Sequence, residues 1–100
     1  MRFDEAHTLG KDEAKRRIAK LADYWRSKYG VEVSWTEDSA RLKGEVKGIG
    51  FDAKLTVRES NVEAEGTDPG LLMRSLAKTY LRKKLSLYLD PGVRVEDIIE

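Results

Sequence analysis

Cysteine is absent from this 100-residue chain. That excludes a disulfide framework, a thiolate zinc site and a cysteine nucleophile together. Histidine occurs once, as His7, so a histidine base or ligand would have no second imidazole to work with; a structural or surface role is expected of it. Proline occurs twice, and no apolar run exceeds three residues, far short of the roughly 20 needed to span a bilayer. Met1-Arg2-Phe3-Asp4-Glu5 places acids where a secretory signal begins its apolar stretch, so a cytoplasmic protein without a membrane span is expected. No G-x-S-x-G, H-E-x-x-H, Walker or dinucleotide glycine motif occurs. Gly48-Ile49-Gly50 is too short for a phosphate loop and reads as a turn. The expectation is a protein that is not an enzyme and carries no cofactor or metal.

What is present is a foldable, charge-rich composition: 40% hydrophobic and 37% charged residues. The length suits one domain over residues 1–100, with a core over about 5–89 and a tail over 90–100 to which the pattern assigns no structure. Ala14, Ile18, Leu21, Trp25 and Tyr29 recur at steps of three and four and predict a helix over 11–29. Asp12 and Glu13 suit its first turn, and Gly30 suits the position after its end.

From Val31 the period becomes two. Val31, Val33 and Trp35 alternate with polar residues, then Ala40, Leu42, Gly44 and Val46, then Phe51, Ala53, Leu55 and Val57, and last Val62 and Ala64. Four short strands with tight connections predict an antiparallel meander with one apolar face. Asp68 and Pro69 read as the N-cap and first position of a second helix ending near Leu89. Its central apolar stripe is read as Leu72, Met73, Leu76, Tyr80 and Leu87, with Ala77, Leu81, Leu85 and Tyr88 beside it. Both helices should cover the one apolar face, giving an α+β two-layer sandwich in the order helix, four-stranded meander, helix.

The charge sum hides a layout. Lys and Arg number 19 against 18 Asp and Glu, yet residues 11–29 carry +4, 31–66 carry −3, 71–89 carry +5 and 90–100 carry −3. Arg74, Lys78 and Arg82, spaced four apart, form a basic stripe. With Arg16, Arg17 and Lys20 they are the candidates for binding an anionic surface, either nucleic acid or anionic head groups. The plainer reading is that these side chains solubilise exposed helix faces. Leu81, Leu85 and Leu89 flank the stripe; they either pack on the first helix or offer an interface for a homodimer, an apolar granule or a partner helix.

His7-Thr8-Leu9-Gly10 with Glu13-Ala14-Lys15, Tyr29-Gly30, Trp35 before Glu37-Asp38, Gly48-Ile49-Gly50 and Leu71-Leu72 together resemble the polyhydroxyalkanoic acid system family. These are small bacterial proteins, and the likeness covers about residues 5–89, the tail departing from the pattern. The resemblance implies a granule-associated or regulatory protein with no catalytic residues. It also implies structural roles for His7, Leu9, Gly10 and Trp35. The function expected is therefore an accessory one, with a polyhydroxyalkanoate granule or its proteins as partner. A nucleic-acid-binding module and a homodimeric scaffold are the alternatives.

Overall fold

The computed structural model describes residues 1–46, 48–67 and 70–98, with Leu71 and Leu72 described in their backbone alone. The elements run β1 (Arg2–Ala6), α1 (Lys11–Tyr29), β2 (Glu32–Thr36), β3 (Ser39–Val46), β4 (Ile49–Val57), β5 (Asn61–Gly66), α2 (Leu71–Tyr88) and a 3₁₀ turn at Val95–Asp97. The strands form one antiparallel sheet in the order β1-β5-β4-β3-β2. The meander expected from the alternation is β2 to β5. The sheet nonetheless has five strands, because the N-terminal residues pair with β5 at Phe3↔Ala64 and Glu5↔Val62. Ile49 and Gly50, read as turn, begin β4 instead.

Strand alternation sends Phe3, Leu42, Val46, Leu55, Val57, Val62 and Ala64 into a core shared with both helices. The opposite face is polar and tied by ion pairs such as Arg2–Glu63, Arg41–Asp52 and Lys54–Glu65. At Gly44 a Cβ would stand 3.3 Å from the Val31 Cα, so the residue leading into β2 lies close against β3 at a position with little room for a side chain.

Helix α1 buries Ala14, Ile18, Leu21 and Trp25 of the stripe that periodicity marks, with Ala22 beside them and Tyr29 half-buried, and ends on Gly30 in the left-handed conformation. Its start rests on Gly10, whose φ of 79° and ψ of 162° suit glycine and strain any other residue. Arg17 is the one α1 cation that is buried.

Helix α2 is rotated from the expected orientation. Ala77, Leu85, Tyr88 and, just past its end, Leu89 are buried, whereas Leu76 is 60% and Leu87 37% exposed. The stripe taken as secondary is thus the one facing the core. The described helix follows Gly70 and starts at Leu71; the cap read at Asp68 and Pro69 lies outside the described residues. Arg17 reaches the Tyr88 and Asp90 carbonyls and Trp25 reaches Tyr80, so the two helices run antiparallel.

The tail is structured where none was expected. Val95 is buried in the core cluster, Ile98 packs against it, and Glu96 pairs with Arg16 at 2.6 Å. The core therefore extends from Phe3 to Val95, beyond both limits read from the pattern.

Candidate functional site

The six candidate cations do not assemble into one surface. Arg17 is only 7% exposed. Its Nε donates to Glu13 at 2.8 Å and its Nη1 to the carbonyl oxygens of Tyr88 at 3.3 Å and Asp90 at 2.7 Å. A buried guanidinium with that set of acceptors holds the end of α2 and is withdrawn from any anion in solvent. This corrects its reading as a surface cation. Arg16 is clamped by Glu13 on its own helix and Glu96 in the tail. Hydrogen bonds from Arg16 and then Arg17 lower the Glu13 carboxyl to about 2, and its acidic partners raise Arg16. Lys20 is exposed on α1.

Arg74, Lys78 and Arg82 keep the expected stripe and are exposed. The stripe runs beside β1: the Lys78 ammonium lies 6.0 Å and the Arg82 guanidinium 5.1 Å from the Phe3 ring centroid. These long side chains cover an aromatic ring at the sheet edge while their charges stay in water.

Of the three leucines proposed as an interface, Leu85 is fully buried and Leu89 nearly so, inside this chain's own core. That removes both as an exposed strip. Leu81 is half-buried against the same core. Among the described residues, the large apolar side chains that do face solvent are Leu76 and Leu87. Eleven positions apart on α2, they lie about 16 Å apart along its axis and within one side of it. Lys83 is exposed between them. Sequence reasoning missed this pair because it placed them at the centre of the inward stripe.

His7 is buried. Its Nδ1 accepts the Leu9 backbone N–H at 3.2 Å, which leaves Nε2 as the donor to the Arg58 carbonyl at 3.0 Å. The ring ties the β1–α1 connection to the β4–β5 hairpin. Leu9 and Trp35 pack against the core, and Lys15 lies 5.6 Å over the Trp35 ring. Together with Gly10, the four motif residues sit in structural surroundings.

Between the sheet and α2 lies an apolar cleft of about 60 Å³. Phe3, Phe51, Leu55 and Ala64 line its sheet side, with Trp25, Ala77, Tyr80 and Leu81 opposite. The Trp25 indole donates to the Tyr80 hydroxyl at 3.1 Å in its wall, and burial raises the Tyr80 phenol above its ordinary value. On the outer side of Tyr80, Lys84 lies 5.7 Å from that ring and 5.0 Å from Tyr24.

Among the described residues, no three His, Cys, Asp or Glu side chains gather as metal ligands. No described helix is long and apolar enough to cross a membrane.

Fold and surface define a small two-layer α+β protein whose distinguishing features are a leucine-bearing basic helix and an apolar cleft. The chain belongs to the family described as "Putative polyhydroxyalkanoic acid system protein", whose model matches residues 1–91. It is also similar to a UPF0335 protein of Rhizobium meliloti, at 24% identity over 95% of this chain and 98% of the relative. A second UPF0335 protein, from Sinorhizobium medicae, is 23% identical over the same shares. No solved structure matches the chain.

Proposed function

We propose that this is a non-enzymatic accessory protein of the cytoplasm that seats on polyhydroxyalkanoate granules through the solvent side of its helix layer. The observation that carries the reading is the exposure of Leu76 and Leu87 on one side of α2 with Lys83 between them. Large leucines left in water on a helix that already fills its core favour contact with an apolar surface. Family membership supports the granule as that surface.

The test is sedimentation of polymer granules stripped of protein, mixed with wild-type chain or a Leu76→Gln/Leu87→Gln variant. Wild-type protein should pellet at low and high salt, and the variant should stay behind. Wild-type protein wholly in the supernatant at low salt would overturn the reading.

The nucleic-acid alternative rests on Arg74, Lys78, Arg82 and Lys20, since Arg16 and Arg17 are held by acids and carbonyls of the chain. It predicts DNA or RNA binding that collapses as salt rises.

A further inference from the structure

We propose that the cleft between α2 and the sheet is a binding site for the hydrocarbon end of a straight-chain carboxylate. Small residues make the space: Ala53, Ala64 and Gly66 on the sheet face Ala77 on α2. About 60 Å³ of accessible room is roughly four times what one water needs. Water entering it would find few partners, because the lining is carbon apart from the rim, and each buried water needs two to four hydrogen bonds. The Trp25 indole N–H and the Tyr80 hydroxyl, polar groups of the helix wall, are bonded to each other. A space of this kind stays dry or takes an apolar guest, here a short alkyl end.

The charges around it select the head group. Lys78 and Arg82 lie over the Phe3 ring, which forms part of one wall. Beside these two cations, the one acid among the described lining residues is Glu65. Its charge is committed to Lys54 on the outer face of the sheet, at 3.2 Å. An anionic head group held outside the walls while the chain enters between them fits both features. The cleft is distinct from the Leu76–Leu87 surface, so it binds a free ligand whether or not that surface meets a granule.

The experiment titrates butyrate, hexanoate, octanoate and decanoate into a Trp35→Phe protein, leaving Trp25 in the cleft wall as the only fluorophore of its kind. Affinity should rise about fourfold per added methylene while the cleft fills and then level off, with Trp25 emission changing in step. Ala77→Phe, which fills the space from the helix, should abolish the response. Ala53→Val, a smaller change suited to a strand, should weaken it at least tenfold and serves should Ala77→Phe fail to fold. Arg82→Gln should weaken every carboxylate while leaving the chain-length trend intact. Equal affinity for all four ligands, or wild-type binding by folded Ala53→Val protein, would overturn the proposal. Granule sedimentation of the same variants reads the other surface separately.

Discussion

The indole N–H of Trp25 on α1 and the hydroxyl of Tyr80 on α2 meet at 3.1 Å, the direct side-chain tie between the two helices near the cleft. Trp25 is buried almost completely, so its donor has little access to solvent. Tyr80→Phe removes the acceptor and should cost about 1–3 kcal/mol, the penalty of an unsatisfied buried donor. Urea denaturation followed by circular dichroism measures it, and a loss under 0.5 kcal/mol would show that water replaces the hydroxyl.

Gly10 should tolerate no side chain. Alanine there must adopt φ near 79° with ψ near 162°, which costs on the order of 1–3 kcal/mol. Space is not the obstacle, since the nearest atom to a Cβ is Glu59 Oε1 at 3.6 Å. The loss should therefore be the same in a Glu59→Ala background, which thermal unfolding of both pairs would reveal.

Arg17→Met should loosen the end of the chain before it unfolds the rest. Methionine keeps much of the apolar stem but removes the charged donor to the Tyr88 and Asp90 carbonyls, at a cost of about 1–3 kcal/mol. Amide exchange should quicken at residues 89–98 ahead of the sheet. Uniform acceleration over the whole chain would contradict this local role.

Acid should destabilise the fold through its ion pairs. Glu13 is lowered from 4.5 to about 2 by Arg16 and then Arg17. Asp38 is lowered by Lys11, Asp52 by Arg41, Glu63 by Arg2 and Glu96 by Arg16. Depressed folded-state values mean that the stabilisation is complete above the unfolded carboxylate range. It is lost as pH falls through the folded values. Stability should thus be flat above about pH 5 and drop towards pH 2. Glu13→Gln should lower the plateau and flatten the drop, and because these groups keep contact with solvent, added salt should shrink both effects.

Most of the fold was legible because burial imposes a period. The α1 stripe and the alternation of β2 to β5 each present several apolar residues in phase. Strand β1 offers one: Phe3 faces the core, but the next position on that side is Glu5. Its pairing with β5 comes from tertiary contact that no local pattern announces. Helix α2 misled for the opposite reason. Leucines at 76, 81, 85 and 87 surround much of the helix, so the period alone cannot say which side turns inward. The candidate site suffered accordingly, with buried Leu85 named and exposed Leu76 treated as core. Arg17 was counted with the surface charge, although its place beside Ala14, Ile18 and Leu21, four residues after Glu13, signalled a paired cation at the core margin. Val95 and Ile98 are isolated apolar residues in an acidic tail and carry no periodic signal.

The pairing of β1 with β5 also orders events in time. Phe3 emerges from the ribosome first but finds Ala64 only after some sixty further residues have been made. The β2–β5 meander can close by successive short hairpins, whereas β1 must wait for the last of them. During that wait Phe3 has no strand to pair with, and the bare edge is that of β4, whose inward Leu55 and Val57 lack the neighbours Ala64 and Val62. Synthesis that stalls near residue 60 would therefore leave a chain whose first strand has no place to go.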